Sequence, residues 1–323
     1  LTTAISGRGI ENEALVTWPN FLRITFRPED GQWLCLADAD VLDFEQDLDL
    51  RRGVLTRRLR IRDEDGRTSV VHARRFVSMA RPHVAAIRWS LTAEDWSGPV
   101  IVRSEIDGEV TNAGVERYRE LRGHHVEVES TDRPSDDVVR LVCRSVQSRL
   151  RVAIAARHRL ETPDRTSAGE AESDRPAARR SLVDEPARVG QAWSLPIREG
   201  ETVSLEKICV VHSHRDHAIS EPAHDAARTA RLVGGFEQLV HEHESAWERL
   251  WEHADIELEA DEFTRRTLRL HVFHLLQTAS PNSIHGDAGV PARGWHGEAY
   301  RGHVFWDELF IMPFLKLRVP EIS

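Results

Sequence analysis

Two residues near the end of the sequence could do chemistry on a sugar. Trp306 and Asp307 stand side by side between a glycine-rich stretch, "ARGWHGEAYRGH" (292–303), and an apolar run, "ELFIMPFL" (308–315). A sugar ring offers an apolar face of C–H groups and a fringe of hydroxyls. An indole can stack on the face, and a carboxylate can accept two adjacent hydroxyls in charge-assisted hydrogen bonds. On pattern alone, a core Trp beside an Asp that caps a helix is the commoner arrangement.

A second motif is sharper as a string. "HSHRDH" supplies His212, His214, Asp216 and His217. It matches H-x-H-x-D-H, the zinc pattern of metallo-β-lactamase-like hydrolases, in which alternating imidazoles and a carboxylate suit a pair of zinc ions. Its position argues against that reading, because it closes a long all-β run and only 106 residues follow. A solvated strand end is the expectation here, and no metal is expected. "HEHE" (241–244) and "HVFH" (271–274) read as helix-surface or helix-packing residues. Gly286, Gly289, Gly294, Gly297 and Gly302 could form a phosphate nest. No G-x-x-x-x-G-K-[ST] string accompanies them, so a nucleotide P-loop is not expected.

The elements that must position these residues change character along the chain. Residues 21–26, 54–63, 68–79, 83–93, 98–107 and 138–146 alternate apolar and polar side chains between turn signals such as "PEDG" and "DWSG". Further strands are expected at 151–157 and 202–212. No helical crossover intervenes, so antiparallel pairing in a sandwich is predicted, since a single sheet would leave one apolar face wet. Residues 161–190, rich in small, charged and proline residues, read as a solvated loop between two strands.

The period becomes helical near residue 222. Phe236, Leu239, Val240, His243, Trp247, Leu250 and Trp251 share one stripe. Asp261 is a candidate N-cap for a second helix carrying Phe263, Leu268, Val272, Phe273, Leu275 and Leu276. An apolar helix is expected from about Phe305, kinked or limited by Pro313. The predicted organisation is a β-sandwich over 1–220, a helical linker over 221–257 and the start of an all-α domain over 258–323.

Composition narrows the partners. Lys and Arg number 43 against 53 Asp and Glu, a net charge of −10, which weighs against nucleic acid or an acidic membrane. No apolar run approaches the ~20 residues of a membrane span. Cys35, Cys143 and Cys209 are widely spaced in apolar stretches and read as buried free thiols in a reducing, cytoplasmic setting.

The segment "GVPARGWHGEAYRGHVFWDELFIMPFL" (289–315) resembles the opening of the catalytic barrel in glycoside hydrolase family 65. That family includes phosphorylases of maltose, trehalose and kojibiose. "DLDLRRGVLTRRLRIRD", "FVSMARPHVAAI", "DWSGPVIVRSEIDGEVTNAGVERY" and "HLLQTAS" resemble its N-terminal and linker regions. The resemblance implies an N-terminal β-sandwich, a helical linker, an (α/α)6 barrel and a small C-terminal β domain. It implies that Trp306 and Asp307 hold the glucosyl unit of an α-glucoside, with Tyr300, Arg301 and His303 as neighbouring substrate-binding candidates. Inorganic phosphate is then the co-substrate, no cofactor is needed, and the parent enzyme is expected to be a homodimer. The family's acid glutamate lies in a stretch resembling "GPDEY", which this sequence lacks, and neither Glu298 nor Glu308 matches it. The chain is therefore expected to be an inactive N-terminal piece of a phosphorylase, or of a hydrolase of the same family, missing its first segment. A zinc hydrolase and a non-catalytic sugar-binding piece remain the alternatives.

Overall fold

The computed structural model describes residues 2–5, 8–11, 15–116, 122–162, 177–217, 219, 221–284, 289–295 and 299–322. The strands in chain order are β1 (Thr2–Ile5), β2 (Arg8–Glu11), β3 (Ile24–Pro28), β4 (Asp40–Asp49), β5 (Val54–Arg62), β6 (Thr68–Val77) and β7 (Val84–Ala93). They continue as β8 (Gly98–Asp107), β9 (Val126–Ser135), β10 (Val138–Ser145), β11 (Arg151–Glu161), β12 (Arg179–Glu185), β13 (Arg188–Ile197) and β14 (Thr202–Ser213). Helices α1 (Pro222–Leu232), α2 (Phe236–Ala254), α3 (Glu262–Thr278) and α4 (Glu308–Arg318) follow. This is the predicted order, an antiparallel sandwich and then helices.

An eight-stranded sheet runs β4-β5-β6-β7-β14-β11-β10-β9, and a four-stranded sheet runs β12-β13-β8-β3. Each of the eight predicted stretches contains or overlaps a strand. The expected loop at 161–190 is corrected in part. Residues 179–185 form β12, which pairs with β13 from Arg179↔Ser194 to Glu185↔Arg188. Residues 163–176 of that stretch lie outside the described residues.

The large sheet buries both faces at its centre. Inward, Leu59, Ile61, Val71, Ile87, Trp89, Leu91 and Leu205 pack with Val100, Val102, Trp193 and Leu195 of the small sheet. Outward, Ala86, Val142, Ala153, Ala155, Ile208 and Val210 pack with Ala223, Ala226 and Ala230 of α1 and with Phe236 and Leu239 of α2. The small α1 residues let the helix approach the sheet closely. Two-sided burial explains why "VAIAA" (152–156) is a continuous apolar run rather than an alternating one.

Strand β11 also caps α1 at both ends. Arg151 pairs with Glu221, the N-cap, whose carboxylate accepts from Ala223 N at 3.1 Å. Six residues on, the Arg157 guanidinium donates to Val233 O and Gly234 O, both at 2.7 Å, satisfying carbonyls past the helix end. The Glu206 carboxylate of β14 then receives Phe236 N at 2.7 Å, fixing the start of α2. Helix α2 meets the sandwich again through His243. Its Nδ1 accepts from Met79 N at 3.0 Å and its Nε2 faces Gly53 O at 3.2 Å. Burial pushes this imidazole down to about 4.

Helices α2 and α3 bury Trp247, Leu250, Val272, Phe273 and Leu276 between them, with Trp247 stacked on Phe273 at 4.6 Å. Asp261 caps α3 as predicted, accepting from Thr264 N at 3.0 Å. Helix α4 starts at Glu308, three residues later than expected. It carries Pro313, which removes the bond to Leu309 O without ending the helix. No helix among the described residues is long and apolar enough to cross a membrane. Cys143 and Cys209 are buried as expected, whereas Cys35 is exposed, because it sits in the irregular stretch between β3 and β4.

Candidate functional site

The glycine-rich segment and α4 form a small platform anchored from below. Val290, Leu315 and Val319 pack with Ala279, and Ile311, Met312 and Phe314 pack alongside. The Glu308 carboxylate accepts from Val290 N at 2.7 Å and so ties the loop to the helix. Gly289 has to be small there, since a Cβ would lie 2.3 Å from Glu308 Oε1. Glu308 therefore has a structural task.

Trp306 is not a core residue. It is 67% exposed and meets Phe310, one helical turn on, edge to face at 5.7 Å. Phe310 is itself 71% exposed. Asp307 is the N-cap residue of α4, yet its side chain makes no capping bond. Among the described residues no hydrogen bond or ion pair engages its carboxylate. The pair is thus not the core Trp beside a capping Asp that is commoner on pattern alone.

Tyr300 and His303 come together around Phe305. The Tyr300 ring meets Phe305 edge to face at 5.9 Å, and the His303 ring stacks on it at 6.2 Å. Tyr300 takes a left-handed backbone, φ 58°, in a 3-10 turn over Ala299–Gly302, and its side chain is exposed. The Arg293 guanidinium lies 5.4 Å from its centroid, a contact the sequence did not signal. The backbone of Arg301 belongs to the same turn; its side chain lies outside the described residues, as do Gly286, Gly297 and Glu298. Among the described residues, this stretch offers an exposed indole, a neighbouring carboxylate with no hydrogen bond or ion pair, and a phenol and an imidazole gathered around Phe305. Those are groups that stack on and hydrogen-bond to a polyhydroxylated ring.

The histidine motifs divide. His214 and His217 are exposed, but His212 is buried, correcting the expected solvated strand end. The reason is His83, from the start of β7, whose ring stacks on His212 at 4.0 Å. His212 Nδ1 lies 2.9 Å from Asp216 Oδ2. The sequence reading missed His83 because no local spacing marks a partner 129 positions away in the chain. In "HEHE", His243 is packed as described above. In "HVFH", His274 Nδ1 lies 3.1 Å from Gln277 Oε1, while His271 is exposed.

A two-sheet antiparallel sandwich leading through paired helices to an exposed Trp-Asp pair defines the class: a β-sandwich followed by helices. The family models for the glycosyl hydrolase family 65 N-terminal domain and central catalytic domain match residues 2–250 and 269–323. The chain belongs to glycosyl hydrolase family 65. It is 40% identical over 323 residues to an uncharacterized glycosyl hydrolase of Mycobacterium tuberculosis, covering all of this chain and 24% of that protein. It is 27% identical over 317 residues to the kojibiose phosphorylase of Caldanaerobacter subterraneus, covering 96% of this chain and 39% of that enzyme. The chain thus spans between about a quarter and two fifths of these relatives' length. A solved putative kojibiose phosphorylase from the human microbiome shares the fold, with a TM-score of 0.74 and 17% identity over 95% of this chain and 38% of that one.

Proposed function

We propose that this chain supplies the N-terminal sandwich and the first part of the sugar site of an inverting disaccharide phosphorylase. The substrates of the whole enzyme are an α-glucoside, kojibiose or trehalose being the first to test, and inorganic phosphate. The observation that carries this reading is the Asp307 carboxylate, unengaged among the described residues, next to the exposed ring of Trp306. The relative named kojibiose phosphorylase supports it.

In the reaction, an acid protonates the glycosidic oxygen as its bond to the anomeric carbon breaks. A phosphate oxygen attacks that carbon from the opposite face, giving β-glucose 1-phosphate and the free acceptor sugar. Asp307 holds glucosyl hydroxyls, Trp306 covers the ring face, and Tyr300, Arg301 and His303 border the ring. No described residue is assigned as the acid, so residues 1–323 alone are expected not to turn over. The proposed organisation is a sandwich over 1–220, a linker over 221–257 and the opening of an (α/α)6 barrel over 258–323. The working form is a cytoplasmic homodimer without a cofactor, nucleic-acid partner or membrane partner. The test incubates the full-length polypeptide with phosphate and single α-glucosides and follows the anomeric signals by NMR. β-Glucose 1-phosphate supports the proposal. Free glucose alone, independent of phosphate, would make the enzyme a hydrolase.

A further inference from the structure

The histidine cluster at the root of the helical segment lies outside the sugar site and has no part in the proposed reaction. Three donors converge there from two distant stretches of chain. His83 Nδ1 and His212 Nδ1 face the same carboxylate oxygen, Asp216 Oδ2, at 3.5 and 2.9 Å. One donor atom from each of the three residues lies within 4.8 Å of both others. Metal–ligand bonds of ~2.0–2.1 Å in a tetrahedron place ligand atoms about 3.3 Å apart, and the two distances to Asp216 Oδ2, 3.5 and 2.9 Å, lie on either side of that edge.

The donors are also held in place. Asp216 is fixed by Ser213, whose backbone N and Oγ donate to Oδ2 and Oδ1 at 2.9 and 2.7 Å. The backbone of His83, just before β7, is held where Val211 N donates to His83 O at 2.9 Å; its Nδ1, 3.0 Å from Val211 O, exchanges that contact for the ion on binding. His212 is 6% exposed, and its second ring nitrogen is buried with no hydrogen-bond partner among the described residues. That orphan nitrogen is Nε2, so the ring's one bond among the described residues is the Nδ1 contact to Asp216. The cluster is reachable from solvent, since the His83 and Asp216 side chains keep 36% and 19% of their exposure.

We propose that His83, His212 and Asp216 bind one divalent transition-metal ion, with zinc the best match to two imidazoles and a carboxylate. Water completes the shell. The site differs from the dinuclear pattern that "HSHRDH" resembles, because His214 and His217 do not contribute. His214 is instead occupied with the β11 backbone, accepting from Arg151 N at 3.0 Å. The ion joins the start of β7 to the end of β14 and the turn that follows it. Its task is structural.

The test is equilibrium dialysis of the metal-stripped protein against zinc, with elemental analysis of the protein compartment. One zinc per chain is expected, with binding weakened at least about tenfold in His83→Gln and in Asp216→Asn and retained in His214→Gln and His217→Gln. Each variant is first checked for a native melting transition. Zinc added to the unaltered protein should also shift the ring nitrogens of His83 and His212 in long-range proton–nitrogen NMR spectra. Substoichiometric zinc, stoichiometric zinc that survives both His83→Gln and Asp216→Asn, or unmoved ring signals would overturn the proposal.

Discussion

Gly53 sits in the turn between β4 and β5, at φ 66°, where the sandwich touches the helices. A Cβ built there would lie 2.2 Å from Trp247 Nε1. Trp247 cannot yield easily, because it is 2% exposed and stacked on Phe273. Gly53→Ala therefore carries two costs. The left-handed backbone costs an alanine ~1–2 kcal/mol, and forcing a methyl into a packed contact costs about 1–3 kcal/mol more. The sum is ~2–5 kcal/mol, read as a shift in the urea midpoint at constant slope. Gly66→Ala separates the two costs. Gly66 has φ 83° in the next turn, yet a Cβ there meets nothing within 4 Å. It should show the backbone cost alone. Equal losses in the two variants would refute the claim that the indole is wedged against the turn.

Stability should fall in acid because of His243. Its folded value of about 4 lies below the ordinary imidazole value of ~6.5, so the unfolded chain binds the proton first as pH drops. The contribution is complete above ~6.5 and is lost progressively toward about 4, a span of ~3 kcal/mol. Urea midpoints across that window should slope, and His243→Gln should flatten the slope. Thiol chemistry should separate the cysteines. Burial pushes Cys143 up to about 12 and Cys209 up to about 11, whereas Cys35 is exposed. Iodoacetamide at pH 8 should label Cys35 alone in the native protein and all three after denaturation, as counted by mass spectrometry.

Three of the concealed strands share a physical origin. Three of the strands missed by alternation, β4, β9 and β12, are the outermost strands of their sheets. Strand β4, "DVLDFEQDLD", buries almost nothing on either face, so no apolar period marks it. Strand β12, "RRSLVDE", is exposed along nearly its whole length and reads as loop. Charged edges of this kind discourage pairing with other chains. Strand β13 did alternate, with Val189, Gln191, Trp193, Leu195 and Ile197 buried, but Gln191 and Pro196 masked the pattern. The Trp-Asp pair was legible as a string, and its openness was not. That depends on Phe314 and Leu315 turning inward while Phe310 and Trp306 turn out, a choice that the evenly apolar run "LFIMPFL" leaves open. The buried histidine was hidden for a different reason, since only the pairing of β7 with β14 brings His83 to His212.

The most direct test of the sugar site is the phosphorolytic kcat/KM of Asp307→Ala in the full-length polypeptide, measured with Trp306→Ala alongside. Loss of a charged hydrogen-bonding partner is worth ~1.5–3 kcal/mol, so kcat/KM should fall about 10- to 150-fold with the melting temperature unchanged. Trp306→Ala, which deletes only an exposed ring, should cause a comparable loss without unfolding. Near-parental kcat/KM in either variant would contradict the assignment of Trp306 and Asp307 as the wall and anchor of the glucosyl site.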